Sequence, residues 1–378
     1  MAQLSSVAII PLVCLHTRDA AVAVDAAVAR VAASQHFILG EEVQAIEGAL
    51  AARFGVAAAV GVASGSDALY LGLRAAGCGP GDEVITTALS FFATAGAIAR
   101  TGAVPVFVDI ERDGFGLDPA AVLSAISSRT RAVVAVHLFG RCARIEPLVE
   151  LAARRGLTLV EDAAQAIDAT RGGRVAGSFG DFGCLSFHPT KNLGAWGDGG
   201  MVLCKTLESA RAVARLRQHG GKDGVYDVVG INSRLDALQA AILGAKLPHL
   251  AGWNAARRER AVHYRALFDA ARLATHVTVP GADPDGVEVV HHFVIRCRRR
   301  DELRVHLEAR GIGVGVYYPT PLHLQPCFAA LGGKVGDCPE AEAAARELLS
   351  LPMFPALSMD QQRRVVSEIG AFYRGASA

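Results

Sequence analysis

The chain has 378 residues, enough for two to three domains at about 150 residues per domain. Hydrophobic residues make up 51% and charged residues 20% of the chain, a balance typical of globular proteins and unlike that of a disordered chain. The 38 basic and 37 acidic residues leave a net charge of +1, which gives no electrostatic reason to expect nucleic acid or an anionic membrane as a partner.

Membrane spans and metal sites are not expected either. The stretch that most resembles a membrane span, Val84–Ala99, is uncharged but contains four hydroxyl side chains and is shorter than the roughly 20 apolar residues that a spanning helix needs. The first fifteen residues lack the basic segment of a signal peptide. The eight cysteines are scattered, with no CxxC pair and no histidine at zinc-finger spacing. We therefore expect free thiols in the reducing cytoplasm and no zinc site.

Strand-like and helix-like segments alternate over the first two-thirds of the chain. The predicted strands are Ala57–Ala63, Glu83–Thr87, Val104–Asp109, Ala132–His137, Leu157–Glu161, Gly183–Phe187 and Met201–Cys204. The predicted helices are Asp67–Ala76, Pro119–Ser127, Ile145–Arg155 and Leu207–His219. The strands are continuous apolar runs, which is typical of strands buried on both faces. The pattern predicts a three-layer α/β domain with a mainly parallel sheet.

The pattern changes in the last third of the chain. Residues 232–268 are helical in character, and Pro248 is expected to break the helix. A strand at Val289–Cys297 and a helix at Asp301–Ala309 follow, and two more helices lie near the end. These elements predict a smaller α+β domain. We expect a large domain over residues 1–250, whose N-terminal segment is able to pack on the small domain, and a small domain over residues 251–378.

Common catalytic and nucleotide-binding motifs are absent. The chain has no GxxxxGK[ST] loop, no GxGxxG between a strand and a helix, no GxSxG and no HExxH. Any chemistry must therefore come from other side chains at the ends of the predicted strands.

The most informative segment surrounds Lys191. It lies in the turn-rich, nearly uncharged sequence that runs from Ser186 to Gly200, between two buried strands. A lysine that is desolvated there has a lowered pKa and is nucleophilic as the free amine. A loop lysine that faces water is the alternative, and this segment alone does not exclude it.

Three other segments place chemical groups after predicted strands. Asp162 ends a strand, where its carboxylate can hold a protonated ring nitrogen or a metal, or cap the next turn. Gly65 and Ser66 join a strand to a helix, where a phosphate can approach the backbone amides; Ser66 or Asp67 as a simple N-cap is the alternative. Phe91 starts a helix and can stack on a planar ring or pack in the core. A phosphate turn, a stacking ring, a carboxylate and a lysine are the groups that a pyridoxal phosphate (PLP) enzyme needs.

Six motifs in this order resemble one known family. They are Phe37-Ile-Leu-Gly40-Glu, Gly65-Ser66-Asp67-Ala-Leu, Glu161-Asp162-Ala-Ala-Gln165-Ala, Ser186-Phe-His-Pro-Thr-Lys191-Asn-Leu-Gly, Gly230-Ile-Asn232-Ser-Arg234-Leu-Asp-Ala-Leu-Gln239-Ala-Ala and Tyr317-Tyr318-Pro-Thr-Pro-Leu-His323-Leu-Gln-Pro. The chain resembles the DegT-type sugar-nucleotide aminotransferases, which are fold-type I PLP enzymes. The resemblance covers nearly the whole chain, and the Lys191 and Asn232 segments are its most specific parts.

The resemblance implies a role for each matching residue around the cofactor. Lys191 would form the Schiff base and shuttle protons, and Asp162 would pair with the pyridinium nitrogen. Gln165 would contact the phenolic side of the cofactor, and Phe91 would lie against one face of the ring. The phosphate would be held by three small residues, Gly65, Ser66 and Ser186.

The resemblance also implies partners. The family's asparagine that matches Asn232 reaches the cofactor phosphate of the neighbouring subunit, so the expected active unit is a homodimer with shared sites. Tyr318 and His323 match the loop that faces the sugar nucleotide, and His188 is a further expected substrate contact. Arg141, Arg144 and Trp196 depart from the family pattern, and they bear on substrate preference rather than on the cofactor.

The function implied is transfer of an amino group from glutamate or glutamine to a nucleotide-linked keto-sugar, with C3 favoured over C4. A sugar dehydratase of the same superfamily would carry histidine where Lys191 stands, so it is disfavoured. A PLP-binding regulator without turnover would normally carry a DNA-binding module, which the sequence does not show. An enzyme that acts only on amino acids would need an arginine for the α-carboxylate, for which Arg296 and Arg298 are candidates.

Overall fold

The computed structural model describes residues 9–15, 18–112, 114–222 and 224–375. In chain order its strands are β1 Ala58–Val62, β2 Glu83–Thr87, β3 Val104–Val108, β4 Thr130–Val136, β5 Thr158–Asp162, β6 Thr170–Arg171, β7 Arg174–Val175, β8 Phe182–Ser186, β9 Gly200–Cys204, β10 Gly221–Lys222, β11 Val225–Tyr226, β12 Val277–Thr278, β13 Gly286–Val287, β14 Phe293–Cys297 and β15 Leu348–Leu351. Its α-helices are α1 Ala21–Ser34, α2 Glu41–Phe54, α3 Gly65–Ala75, α4 Phe92–Thr101, α5 Pro119–Ala125, α6 Glu146–Arg155, α7 Leu207–Leu216, α8 Ala237–Lys246, α9 Leu250–Ala271, α10 Arg300–Ala309, α11 Pro339–Glu347 and α12 Met359–Gly375.

A seven-stranded sheet organises the larger part of the described chain. Its strand order is β1-β9-β8-β5-β4-β2-β3. The five strands from β8 to β3 run parallel, and β9 pairs antiparallel with both β8 and β1, so that β9 alone in this sheet runs in the opposite direction. The prediction of a mainly parallel sheet is therefore confirmed, and the predicted strands agree with the observed ones to within two residues at each end.

Most residues of these strands are apolar and buried because helices cover both faces of the sheet. One face packs against α3, α4 and α7 through side chains such as Leu71, Ile98 and Val213. The other face packs against α2 and α8 at one side and α6 at the other. Burying each such aliphatic side chain contributes about 1.5–3 kcal/mol. The result is the predicted three-layer α/β arrangement.

The C-terminal part forms a second core. The strands β12, β14 and β15 form an antiparallel sheet that packs against α9, α10 and α12. Ile10 from the N-terminal segment belongs to this same core and bridges Ile312. Pro248 lies in a short 3-10 turn between α8 and α9, so the predicted break is confirmed.

Two details of this C-terminal part differ from the prediction. The strand predicted over Val289–Cys297 begins only at Phe293, because Val290 adopts a left-handed backbone conformation (φ 45°) that a strand cannot contain. The short strand β15 was not predicted. It is a run of four buried residues directly after a helix, and such short apolar runs do not distinguish a strand from the end of a helix. Within the described residues, no helix is long and apolar enough to cross a bilayer.

Candidate active site

A cavity of about 530 Å³ opens at the carboxyl edge of the parallel strands. The ends of β4, β5 and β8 and the N-terminus of α3 form its floor, and the C-terminal part closes it through His291, His292, Tyr317 and Tyr318. Ligand sites in open α/β sheets lie at this edge because strand ends and helix N-termini converge there.

Most of the predicted site residues line this one cavity. They are Gly65, Ser66, Phe91, Asp162, Gln165, Ser186, His188, Lys191 and Tyr318. Asn232 and His323, which were predicted with them, do not line it. Among the residues that the structure describes, no group of three or more side chains is arranged to hold a metal ion.

Lys191 faces the cavity from a tight turn, in which its backbone amide donates to the His188 carbonyl at 2.8 Å. Burial lowers the pKa of its amine to about 8, although the nearby Asp162 carboxylate partly opposes that shift. The lysine is therefore desolvated rather than a loop lysine in bulk water. An amine with this pKa is partly unprotonated near neutral pH, as a nucleophile or a proton carrier requires.

Buried polar contacts fix the Lys191 turn to the surrounding helices. The Asn192 side-chain amide donates to Asn254 Oδ1 at 2.8 Å and to the Val289 carbonyl at 3.0 Å. On the far side of the turn, Lys246 Nζ of α8 donates to the Gly194 carbonyl at 2.7 Å. Because these groups are buried, a lost partner would leave an unsatisfied polar atom, so the turn has little freedom to move.

Asp162 ends β5 and is only 6% exposed. Thr94 Oγ1 donates to Asp162 Oδ2 at 2.8 Å, and the Ala164 amide donates to Oδ1 at 3.2 Å. Burial raises the pKa of this carboxyl group, while the two hydrogen bonds and the Lys191 amine act in the opposite direction. A buried carboxylate with only these partners is suited to a cationic group that enters the cavity.

A second buried carboxylate supports the strand from behind. Glu161 Oε2 accepts from His137 Nε2 at 2.7 Å, and its two oxygens accept from the amides of Gly177, Phe179 and Gly180 at 2.6–2.7 Å. Glu161 therefore has a structural role, whereas its neighbour Asp162 faces the cavity. The local pattern at the strand end did not distinguish the two adjacent carboxylates, and only the family resemblance singled out Asp162.

The turn before α3 leaves room for an anion. Ser64, rather than Ser66 or Asp67, is the N-cap, and its Oγ accepts from the Asp67 amide at 3.1 Å. A Cβ added at Gly65 would lie 2.6 Å from the Ser186 Cβ, so only glycine keeps this approach open. The free amides of the first helical turn and the helix dipole favour a phosphate here.

Aromatic and amide groups form one wall of the cavity. Phe91 is 55% exposed, and its ring centroid lies 5.9 Å from that of Tyr318. Phe91 is therefore not a core residue, which was the alternative interpretation. Gln165 accepts from the Phe139 amide at 2.7 Å and donates to the Tyr318 hydroxyl at 3.1 Å. This arrangement leaves one face of Phe91 available to a planar ring.

Two histidines in this wall were missed at the sequence level. His291 donates through Nδ1 to Asn192 Oδ1 at 3.1 Å, and the ring centroid of His292 lies 4.3 Å from that of Tyr317. Burial lowers the pKa of His292 to about 3 and that of His291 well below its ordinary value. Both rings are therefore neutral at pH 7. Their signal in the sequence was a histidine pair inside a predicted strand, where adjacent side chains point to opposite faces.

The remaining predicted residues lie elsewhere. Asn232 is exposed and pairs only with Gln218 in an isolated bridge. It does not cap a helix near Ser233, since α8 begins at Ala237. His323 is buried, and its Nε2 lies 3.3 Å from Glu342 Oε1.

The arginines considered at the sequence level also lie away from the cavity wall. Arg296 and Arg298 line a different cavity, so neither is placed to hold a substrate carboxylate here. Arg141 and Arg144 pair with Asp283 and Glu111 at 3.7 and 3.1 Å. None of these four residues lines the cavity that contains Lys191.

A desolvated lysine, a buried carboxylate and a helix N-terminus around one cavity, on a three-layer α/β fold, are typical of aminotransferases. The comparison of sequences agrees with this class. The profile of the DegT/DnrJ/EryC1/StrS aminotransferase family matches residues 19–370, and the chain belongs to that family.

Several relatives have similar lengths. The chain is 50% identical to a pleiotropic regulatory protein from Geobacillus stearothermophilus, over 90% of this chain and 92% of that protein. It is 45% identical to UDP-N-acetyl-3-dehydro-alpha-D-glucosamine 3-aminotransferase from Acidithiobacillus ferrooxidans, over 88% and 89% of the two chains. It is 44% identical to dTDP-3-amino-3,4,6-trideoxy-alpha-D-glucose transaminase from Streptomyces venezuelae, over 91% and 90%.

Solved structures share the whole fold. DesV from S. venezuelae, in complex with a ketimine intermediate, is 42% identical and superposes with a TM-score of 0.92 over 96% of this chain and 98% of that chain. NtdA from Bacillus subtilis with bound cofactor PMP is 29% identical and superposes with a TM-score of 0.88 over 98% and 86%.

Proposed function

We propose that this protein is a PLP-dependent aminotransferase that moves an amino group from glutamate or glutamine to C3 of a nucleotide-linked keto-sugar. The observation that carries the proposal is that the buried Lys191 amine and the buried Asp162 carboxylate line one cavity that also contains an anion-binding turn. The relatives named for C3 amination support the position on the sugar.

The residues present fit the cofactor. Gly65 keeps an open approach to the first turn of α3, and Ser66 and Ser186 supply hydroxyl groups beside it. Asp162 is a buried carboxylate without a basic partner within hydrogen-bond distance, which suits a pyridinium nitrogen. Phe91 offers a ring face. When bound, the cofactor supplies an aldehyde and an electron sink.

Each of these residues has a distinct task in the proposed reaction. The Lys191 amine, with its pKa of about 8, would hold the cofactor through its aldehyde and would take up the proton from the donor's α-carbon. Asp162 would keep the ring nitrogen protonated. Thr94 orients Asp162, and Gln165 and Phe91 would orient the ring. Tyr318 and His188 line the cavity and are proposed substrate contacts.

We also propose a homodimer with shared sites. Asn232 is exposed and does not line its own subunit's cavity, as expected if it reaches the phosphate of the other subunit. The neighbouring hairpin exposes Val225, Tyr226 and Val229 to 65–84% of their surface, and a second subunit would cover these apolar side chains.

The proposed domains are residues 1–250 and 251–378, and the proposed compartment is the cytoplasm.

The test is a panel of 3-keto and 4-keto sugars linked to UDP or dTDP, incubated with glutamate or glutamine and analysed by mass spectrometry. We expect an amino-sugar product from a 3-keto substrate and none from the Lys191→Ala variant. Amination of 4-keto sugars only would contradict the regiochemistry, and no product from any sugar would contradict the substrate class.

A regulatory function is a second candidate, because one relative with 50% identity is named a pleiotropic regulatory protein. The same cavity would then bind cofactor and ligand without turnover. Multiple-turnover amination excludes a regulator without catalysis. Tight ligand binding with intact cofactor and less than one product per subunit supports it.

A further inference from the structure

A second large cavity lies on the C-terminal part of the molecule. Its volume is about 620 Å³, and it shares no lining residue with the cavity that contains Lys191. Five arginines from three segments of the chain line it: Arg112, Arg296, Arg298, Arg299 and Arg346. We call it the arginine cavity.

Carboxylates neutralise only part of this charge. Arg296 Nη1 lies 3.5 Å from Glu347 Oε2 and 3.8 Å from Glu340 Oε2. Arg299 forms a two-pronged pair with Glu302. Glu347 is the only acidic side chain in the described lining. The charge is therefore locally positive in a chain whose net charge is +1.

The remaining three arginines lack acceptors. Within the described residues, the guanidinium groups of Arg112, Arg298 and Arg346 form no hydrogen bond and no ion pair. Arg346 also lies in the last turn of α11, where a cation is favoured, but the helix dipole does not account for the other two. In addition, the Nε of Arg296 is buried without a hydrogen-bond partner. Five guanidinium groups around one space repel each other unless an anion joins them.

We propose that the arginine cavity binds the phosphate groups of a small oligophosphate, such as pyrophosphate or the diphosphate of a nucleotide. Guanidinium groups bind phosphate oxygens with paired, charge-assisted hydrogen bonds. Three free cations match the two to three negative charges of a diphosphate. The cavity volume lies within the range of about 300–1,000 Å³ that is usual for small-molecule sites. Thr275 and Thr278 add hydroxyl donors to the same wall.

The test measures pyrophosphate binding by calorimetry in 150 mM salt, with the full-length protein saturated with PLP so that the anion-binding turn of α3 is covered. The variant is Arg298→Ala/Arg346→Ala. The control is Arg154→Ala/Arg211→Ala, which removes the same charge from exposed positions outside the arginine cavity. We expect the cavity variant to bind at least about tenfold more weakly than the control, a difference of about 1.4 kcal/mol. Equal weakening in both variants, or no binding by the unmodified protein, overturns the proposal.

A second measurement separates phosphate recognition from simple charge attraction. Arg298→Lys/Arg346→Lys keeps the charge but loses the planar fork, and we expect its affinity to fall between those of the alanine variant and the unmodified protein. Inorganic tripolyphosphate, which carries no nucleoside for the sugar-nucleotide site, should show the same ranking of variants as pyrophosphate, whereas acetate should not bind. Acetate binding as tight as that of pyrophosphate, or a lysine variant equal to the unmodified protein, overturns the proposed recognition. Circular dichroism confirms that each variant is folded.

Discussion

Replacing Asp162 with asparagine tests whether this carboxylate is catalytic or only caps the next turn. The substitution preserves shape. The new amide oxygen can accept from the Ala164 amide, and the new NH₂ can donate to Thr94 Oγ1, which is also in hydrogen-bond contact with Ser90 Oγ at 2.8 Å. Asp162→Asn should therefore fold. Its amination rate should fall at least about hundredfold, the usual cost of removing one preorganised electrostatic group. That factor corresponds to about 2.7 kcal/mol of lost transition-state stabilisation.

Asp162→Asn should lower the amination rate but raise the stability of the cofactor-free protein. Burial raises the pKa of Asp162 in the folded state above its ordinary value. Its contribution to the free energy of unfolding is therefore most favourable below about pH 4, the ordinary pKa of aspartate, and declines as the pH rises through the folded-state pKa. Without cofactor at pH 7, Asp162→Asn should be more stable than the unmodified protein, and the difference should shrink towards pH 4. With PLP, the unmodified protein should gain more stability than the variant.

The assay combines steady-state amination with thermal unfolding between pH 4 and 8, with and without PLP. Thr94→Val and Thr94→Ser are the companions. Valine removes the hydrogen bond to the carboxylate, whereas serine retains it. A hydrogen bond to a charged group contributes about 1.5–3 kcal/mol, which is the largest loss in the free energy of unfolding that we expect for Thr94→Val. The reasoning is refuted if Asp162→Asn aminates at the normal rate, or if it is less stable than the unmodified protein without cofactor and gains equally from PLP.

Three further predictions concern the lysines and the dimer. Borohydride reduction should fix the cofactor to Lys191, and peptide mapping of the adduct to another lysine would contradict the assignment. In the cofactor-free protein, acylation of the Lys191 amine should rise with a midpoint near pH 8, because burial lowers its pKa to about 8. Coexpressed Lys191→Ala and Asn232→Asp subunits should form mixed dimers with one intact site and regain activity, whereas inactive mixed dimers of folded subunits would mean that Asn232 does not cross the interface. Lys246→Met leaves the Gly194 carbonyl unpaired, so in urea titrations it should lower the free energy of unfolding by about 1–3 kcal/mol. The exposed control Lys205→Met should lower it by less than about 0.5 kcal/mol. Similar losses in both variants would show that the Lys246–Gly194 contact does not stabilise the protein more than a surface lysine does.

Local sequence patterns were sufficient for the larger part of the fold. Runs such as Ala132–Val136 are apolar on both faces, and only a sheet covered on both sides buries both faces of a strand. Pro248 lacks the amide that a continuous helix needs, so the break between α8 and α9 was visible in the chain. Lys191, Asp162 and Gly65 were identifiable because each follows a strand, and strand ends meet at one edge of a parallel sheet.

Only the tertiary structure showed which of two adjacent side chains faces the cavity and which residues distant in the sequence meet at one site. Whether Glu161 or Asp162 faces the cavity depends on the pleat of β5 and on the amides that reach Glu161 from residues 177–180. The pKa of the Lys191 amine depends on what covers it, and that cover comes partly from His291 and His292, a hundred residues later in the chain. The arginine cavity joins residues 112 to 346, and no local pattern specifies such a spacing. Periodicity reports which face of an element is buried, whereas burial, charge and hydrogen bonding at a site depend on which other elements pack there.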